Sequence, residues 1–260
     1  MAEFLFISDL HLAPERPDTV AIFLDFLHQR ARQAEALYIL GDLFDAWIGD
    51  DDDEAPYPSI CQALKELTAS GTTCAILPGN RDFLLGRGFA RKTGSVILRD
   101  PHRLTLVGTP VILMHGDLLC TDDRAYQRFR RIIRHPLMRR LFLMKSLAKR
   151  RAMAGQYRRK SMAAMAGKPL TIMDVNQEAV RALLRRHGSR VVIHGHTHRP
   201  GEHCFDLDGQ PALRQVLAEW QPERGEVLSF SETGWRRETL RRKEATRTDG
   251  KTPTAPHART

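Results

Sequence analysis

The chain has 260 residues, 42% of them hydrophobic, and a formal net charge of +9; this length can bury one full core, as a single domain or as a domain with an insertion. Its four cysteines are scattered without a CxxC pair, which argues against a disulfide framework or a thiolate zinc site and for a reducing compartment. No apolar run approaches the ~20 residues of a transmembrane helix, and no signal peptide precedes the first strand-like run at Phe4, so we expect a protein that is made and kept in the cytoplasm.

The first two strand-like segments of the chain both end in polar side chains. "FLFISDLH" begins with four apolar residues, and "ALYILGDLFD" contains a similar run. Short continuous apolar runs are typical of strands that are buried on both faces of a sheet. The polar residues that follow the runs are Asp9 and His11 in the first segment, and Asp42 and Asp45 in the second.

Three more segments repeat this pattern: "CAILPGNRD", "VILMHGD" and "VVIHGHTH". Taken alone, the three histidines of the last segment fit a metal site and ordinary polar loop chemistry about equally well. Neutral imidazole is a common metal ligand, but a histidine is also often a half-buried side chain that only makes hydrogen bonds. The polar residues of these segments are Asn80, Arg81 and Asp82, then His115 and Asp117, and finally His194, His196 and His198.

Helical patterns lie between several of these segments. Apolar residues recur with helical spacing in three stretches, of which the second precedes a stop at Gly71 and the third runs from a possible N-cap, Asp174, to a stop at Gly188. The residues that carry the patterns are Val20, Phe23, Leu24 and Leu27; Ala63, Leu64 and Leu67; and Val180, Leu183 and Leu184. Alternation of strands and helices predicts an α/β fold, in which ligands bind at the carboxyl ends of the strands. The five polar strand ends should therefore converge.

Each strand end alone has a simpler explanation, because Asp and Asn cap helices and stabilise turns. Five such ends that meet at one place favour a metal site instead. Oxygen and nitrogen ligands without thiolate suit Mn²⁺, Fe²⁺ or Zn²⁺. Two such ions joined by a carboxylate act on phosphoesters, since they bind both the attacking and the leaving oxygen.

The motifs DxH (9–11), GDxxD (41–45), GN (79–80), HG (115–116) and GHTH (195–198) resemble, in order and spacing, those of the calcineurin-like metallophosphoesterases. The resemblance implies an α/β fold with a β-sandwich flanked by helices. It also implies that Asp42 bridges two metal ions and that Asp45 supports the site without binding metal, while His194 either supports the site or only ends its strand. The remaining ligands that it implies are Asp9, His11 and His198 for one ion, and Asn80, His115 and His196 for the other.

Arg81 stands where many members of that superfamily carry a histidine after the GN motif. Arginine cannot act as a general acid near neutral pH, but its planar guanidinium suits a phosphate. A phosphate leaving group has little need of protonation. Arg81, counted with the seven ligands as a catalytic residue, therefore favours a pyrophosphate substrate over an alkyl ester.

Residues 122–170 form an insertion between two strands, and Pro136 should divide it into two helical parts. Residues 124 to 160 include fourteen Lys and Arg and no Asp or Glu, mixed with many Leu, Met, Ile and Phe. A basic helix pair that packs its apolar stripe on the body accounts for most of these residues. The same composition also fits a helix on anionic lipid or a cap over a lipid substrate, whereas nucleic acid would use the charge but not the apolar stripe.

With this insertion, the segments "GDLFDAWIGDDD", "GNRDFLLG", "IMDVNQ" and "HGHTHRP" resemble the family of UDP-2,3-diacylglucosamine pyrophosphohydrolases of lipid A biosynthesis over about residues 3 to 235. The resemblance implies hydrolysis of that UDP-sugar to UMP and 2,3-diacylglucosamine 1-phosphate by attack of water on the α-phosphorus. It also implies that the protein binds two Mn²⁺ ions and attaches peripherally to the cytoplasmic face of the inner membrane. Met165 replaces an asparagine that is usual in the family, so we leave it out of the site. The substrate contacts implied are Asn80, Arg81, Asp122, Ser161, Lys168 and His196.

Three other functions compete with this interpretation. They are a metallophosphoesterase that acts on a soluble nucleotide-sugar or a phosphoprotein, a scaffold of the same fold without turnover, and a nuclease that uses the basic face. The apolar insertion argues against the first and the complete ligand set against the second. We expect a domain over residues 1–240, a disordered polar tail over 241–260, a monomeric protein and no nucleic-acid partner.

Overall fold

The computed structural model describes residues 2–166 and 174–242, with the side chains of 160–166 excepted. Eleven strands lie in these ranges, and they form two sheets. The strands are β1 (Phe4–Ile7), β2 (Ala36–Ile39), β3 (Thr73–Ile76), β4 (Val96–Ile97), β5 (His102–Leu106), β6 (Thr109–Leu113), β7 (Val191–His194), β8 (Gly201–Leu207), β9 (Gln210–Val216), β10 (Arg224–Ser231) and β11 (Gly234–Arg241). The helices are α1 (Pro17–Gln29), α2 (Tyr57–Ala69), α3 (Arg87–Thr93), α4 (Arg124–Ile133), α5 (Pro136–Leu143), α6 (Leu147–Ala166) and α7 (Gln177–His187).

The two sheets place five strand ends at one edge of the molecule. One sheet has the order β11-β10-β1-β2-β3-β4, and β1 to β4 in it are parallel. The other has the order β5-β6-β7-β9-β8, with β6 parallel to β7. The predicted α/β sandwich is therefore confirmed, and the convergent strand ends come from both sheets.

Alternation along the buried strands divides the core into layers. In β1, Leu5 and Ile7 pack with Phe23 in the layer between the first sheet and its helices. Phe6 points the other way and packs with Leu113 and Ile193 between the two sheets. These side chains are fully buried, and each contributes about 1.5–3 kcal/mol. The apolar runs thus hold strands whose ends carry the polar residues.

The expected helices α1, α2 and α7 are present, but the N-cap predicted for α7 is wrong. Asn176, not Asp174, caps this helix, because its side-chain oxygen accepts from the backbone N–H groups of Glu178 at 3.0 Å and Ala179 at 3.1 Å. Gly188 ends the helix in the left-handed conformation, as predicted. Asp174 pairs instead with Arg199 at 2.7 Å.

The part of the insertion that the structure describes, up to residue 166, contains three helices rather than the two predicted. Pro136 is the first residue of α5, where its missing N–H costs nothing, and a second break separates α5 from α6. We call α4, α5 and α6 the cap. The last strand ends at Arg241, one residue beyond the domain boundary predicted at 240, and the tail from residue 243 lies outside the described residues.

Candidate metal centre and adjoining cavity

The candidate ligands lie on loops with a strained backbone. Each loop follows a buried strand, and five polar residues of these loops together have a positive φ between 50° and 68°. Residues other than glycine rarely adopt this left-handed backbone conformation. Such strain persists where the surrounding fold enforces it, often at functional sites. The five residues are Asp9, His11, Asp42, His196 and His198.

Asp9, His11 and His198 form a first cluster, whose ligand atoms all lie within 4.8 Å of one another. Asp9 Oδ2 accepts from Ser8 Oγ at 2.6 Å and from the backbone N–H of His196 at 2.8 Å. Asp9 Oδ1 faces His198 Nε2 at 3.5 Å. Oδ1 and both ring nitrogens of His11 are buried without a hydrogen bond to the described part of the chain. Buried polar atoms of this kind are costly unless paired, and a divalent cation between them fits this donor set.

Asp9, Asp42 and His115 form a second cluster on the same carboxylate. Asn80 Oδ1 is 2.8 Å from His115 Nε2. His196 lies outside the two compact groups, and its ring packs edge-on against that of His115 with the centroids 4.9 Å apart. All six predicted terminal ligands thus lie in or beside the clusters.

Asp42 lies between the two clusters. Its Oδ2 is 3.9 Å from His11 Nδ1, and its Oδ1 is 3.7 Å from His115 Nε2. The backbone N–H of Arg81 donates to Oδ1 at 2.8 Å. This position fits the role that the resemblance implies for Asp42, a carboxylate that two cations would share.

Burial and charge give the imidazoles different protonation states. Burial lowers the pKa of His11 to about 4 and that of His196 to about 3, so both rings are neutral and can offer a lone pair. Burial opposes protonation of His115 too, but the carboxylates of Asp42 and Asp9 outweigh it and raise its pKa to about 9. A cation bound at this ring must displace a proton.

Motif glycines allow the loops to approach this closely. A Cβ on Gly41 would lie 2.5 Å from His115 Nδ1, and one on Gly116 would lie 2.9 Å from His194 Nδ1. A Cβ on Gly79 would collide with the carboxylate of Asp42, and one on Gly195 with that of Asp9. Each glycine of the GD, GN, HG and GH motifs therefore makes room for a side chain from another loop.

A cavity of about 300 Å³ adjoins the second cluster. Arg81 and Asn80, whose amide contacts His115, form part of its wall. The rest of the wall is mostly apolar and comes from the body and from the cap, with Phe83 and Leu84 on the body and Phe129, Ile133, Phe142 and Tyr157 on the cap. The apolar residues of the insertion favoured a cap over a lipid substrate, but the sequence does not give the residues of the body that face it, because the two walls are far apart in the chain.

The acidic block at 50–54 holds the cap in place. Arg150, only 3% exposed, donates to the carbonyl of Ile48 at 2.7 Å and to Asp51 Oδ1 at 2.8 Å. Arg151 donates to Asp52 at 2.5 Å and pairs with Glu54 at 3.2 Å. The two oppositely charged segments are thus partners in one contact.

The other predicted site residues lie in different places around the clusters. Asp45 is buried, forms part of the cavity wall and pairs with Arg158 on the cap at 2.8 Å, and His194 is the buried end of β7. Asp122 is exposed and accepts from Asn176 at 3.1 Å; it is not part of the cavity wall. Lys168 and the side chain of Ser161 lie outside the described residues.

One residue close to the site carried no recognisable signal in the sequence. Glu219, in the loop between β9 and β10, contacts His198 Nδ1 at 3.1 Å. Arg16 holds the same loop, since it donates to the carbonyl of Trp220 at 2.6 Å. A carboxylate on the far nitrogen of a ligand histidine fixes its orientation.

The chain is similar in sequence to proteins of known family. The sequence profile of the calcineurin-like phosphoesterase family matches residues 2–200. A UDP-2,3-diacylglucosamine hydrolase from Pseudomonas aeruginosa is 50% identical over 89% of this chain and 96% of its own length. Proteins of the same name are 51% identical in Edwardsiella ictaluri, over 83% of this chain and 84% of theirs, and 49% identical in Klebsiella pneumoniae, over 84% and 91%.

Proposed function

This chain belongs to the calcineurin-like phosphoesterases, and we propose that it hydrolyses the pyrophosphate bond of UDP-2,3-diacylglucosamine to give UMP and 2,3-diacylglucosamine 1-phosphate. Relatives at about 50% identity over most of the chain are named for this substrate. The observation that carries the proposal is the apolar cavity, which shares Asn80 and Arg81 with the phosphate side of the candidate metal centre.

The cavity suits the acyl chains of such a substrate. Its wall is mostly apolar, and it adjoins the clusters of candidate ligands. Each methylene that leaves water contributes about 0.8 kcal/mol, so chain burial can supply much of the binding free energy. The diphosphate then lies beside Arg81, at the end of the cavity that faces the second cluster.

Two divalent cations, Mn²⁺ in our proposal, would be held by the two ligand sets predicted above, with Asp42 between them. When bound, they supply a water that is nucleophilic near neutral pH and positive charge for the phosphate oxygens. Members of the family use divalent metals, and the buried atoms of Asp9 and His11 that lack a hydrogen bond in the described part of the chain favour a cation at this place.

The protein side chains orient the reaction. The oxygen of water bonds to the phosphorus next to uridine, and the bond from that phosphorus to the bridging oxygen breaks. The sugar phosphate leaves with the electron pair and needs no proton from the enzyme, and the two protons of the water pass to the product phosphates or to solvent. Arg81 stays charged and binds the phosphate oxygens in bidentate fashion, while its backbone N–H holds Asp42.

The first test is hydrolysis by metal-stripped protein, with and without added Mn²⁺. Wild type and His198→Ala are compared on UDP-2,3-diacylglucosamine and on soluble UDP-N-acetylglucosamine. We expect Mn²⁺-dependent release of UMP from the lipid substrate only, and its loss in the variant. Turnover of the soluble sugar but not of the lipid would refute the substrate and leave the metal centre intact.

The outer face of the cap suits attachment to an anionic inner membrane. It exposes Leu137, Leu141 and Met144, the last by 74%, among many basic side chains. No helix in the described ranges is both long and apolar enough to span a bilayer. A combination of apolar and basic side chains is typical of a helix that lies at the lipid interface.

Sedimentation with phosphatidylglycerol and phosphatidylcholine vesicles tests this attachment. Met144→Glu should weaken binding to the anionic vesicles. The control is Val107→Glu, because Val107 is 67% exposed on the β5–β6 turn, outside the cap. Equal binding of both variants, or no preference for anionic vesicles, would contradict the proposal.

A further inference from the structure

Asp117 is a fully buried carboxylate that takes no direct part in the reaction proposed above. It lies two residues after His115. Its Oδ2 accepts from Tyr126 Oη and from Arg130 Nε, both at 2.7 Å, and lies 3.6 Å from Arg134 Nη2. Tyr126 and Arg130 are on α4, and Arg134 is the residue that caps its C-terminal end. The helix is therefore attached to the loop that carries His115.

The same face of α4 contacts the other loops of the second cluster. The ring of Tyr126 stacks on that of His196, with the centroids 6.2 Å apart and the planes 28° apart. Arg134 donates to the carbonyl of Gly79, next to Asn80, at 2.7 Å. Tyr126, Arg130 and the C-cap Arg134 are four residues apart, and Arg134 keeps a helical backbone conformation, so all three lie on one side of the helix. Each of the three terminal ligands implied for the second ion therefore lies on or next to a loop that α4 contacts.

The first cluster has other supports. His198 contacts Glu219, and Arg16 donates to the carbonyls of Leu10 and Trp220. A change on α4 can therefore act on the second metal position without a direct effect on the first. Phe129 and Ile133, also on α4, line the apolar cavity, so this helix joins the acyl-chain side of the site to one metal position.

We propose that Asp117, held by Tyr126 and Arg130, is a positioning residue for the second metal ion, and that the seating of α4 sets the affinity for that ion. This inference rests on the proposed function with its two ions. Groups that orient metal ligands typically change metal affinity by 10- to 100-fold. Loss of the Arg130 contact is therefore expected to lower the affinity for the second ion at least tenfold and to leave the affinity for the first ion unchanged.

Mn²⁺ titration of the metal-stripped protein, followed by electron paramagnetic resonance, tests this. Loss of the free Mn²⁺ signal counts the bound ions, and the exchange-coupled signal reports the occupied pair. The variants are Arg130→Met, Tyr126→Phe and Arg130→Lys. The control is Arg128→Met, on the exposed side of α4. We expect wild type and the control to bind two ions. Arg130→Met and Tyr126→Phe should bind the second ion more weakly, and Arg130→Lys should recover part of that affinity.

Three results would overturn the inference. Unchanged affinity for the second ion would show that α4 does not position the ligands. An equal loss of affinity for both ions, with a lower melting temperature, would show a general structural role only. A wild-type protein that binds one ion would overturn the proposed pair itself, and the inference with it. If Arg130→Met does not fold, Tyr126→Phe, which removes a single oxygen, gives the deciding measurement.

Discussion

Replacement of Ala154 by leucine is expected to weaken binding of the long-chain substrate while leaving the rate of the chemical step unchanged. Ala154 lies on α6 and forms part of the cavity wall. Leucine adds three carbon atoms there. If they displace three methylenes of an acyl chain, the loss is about 2.4 kcal/mol at ~0.8 kcal/mol each, or ~50-fold in kcat/KM.

The assay is release of UMP from UDP-2,3-diacylglucosamine with acyl chains of graded length. Ala152→Leu is the matched control, since residue 152 is exposed on the same helix and both residues are strong helix formers. With substrates whose acyl chains are shorter by about three methylenes, Ala154→Leu and wild type should have the same kcat/KM. An effect that is independent of chain length, or equal in Ala152→Leu, would refute the placement of the acyl chains.

Three further changes test other parts of the structure. Gly79→Ala should abolish Mn²⁺-dependent activity, because the new Cβ would collide with the carboxylate of Asp42. The control is Gly155→Ala in α6, where a Cβ meets only ordinary contacts; it should leave activity intact and raise the free energy of unfolding by up to ~1 kcal/mol. Activity of Gly79→Ala near that of wild type would contradict the packing of the motif loops. Mn²⁺ at 100 times its dissociation constant should stabilise the fold by ~2.7 kcal/mol per site, about 5–10 °C in melting temperature for a chain of this size, and a flat thermal scan would count against the metal centre. Arg150→Ala should cost about 1–3 kcal/mol in chemical denaturation, because it leaves the buried carbonyl of Ile48 without its donor; no change in the midpoint would mean that water replaces the guanidinium.

The fold and the candidate ligands could be predicted because their signals are local. A buried strand needs a run of apolar residues, and the turn after it needs glycine and small polar residues. Asp9, Asp42, Asn80, His115 and His196 each stand directly at such a junction. Parallel strands then bring these junctions to one edge of the sandwich, so the strand ends alone predict where the candidate site lies, whereas the set of ligands is what the family resemblance implies.

Tertiary structure alone determined the surroundings of that site. Asp117 bonds to a helix that begins seven residues later, Glu219 reaches His198 from another loop, and Arg150 meets the carbonyl of Ile48 about a hundred residues away in the chain. The cavity exists only where the cap and the body face each other. Hydrogen bonds and apolar contacts between distant segments depend on how those segments pack, and no periodicity in either segment encodes its partner.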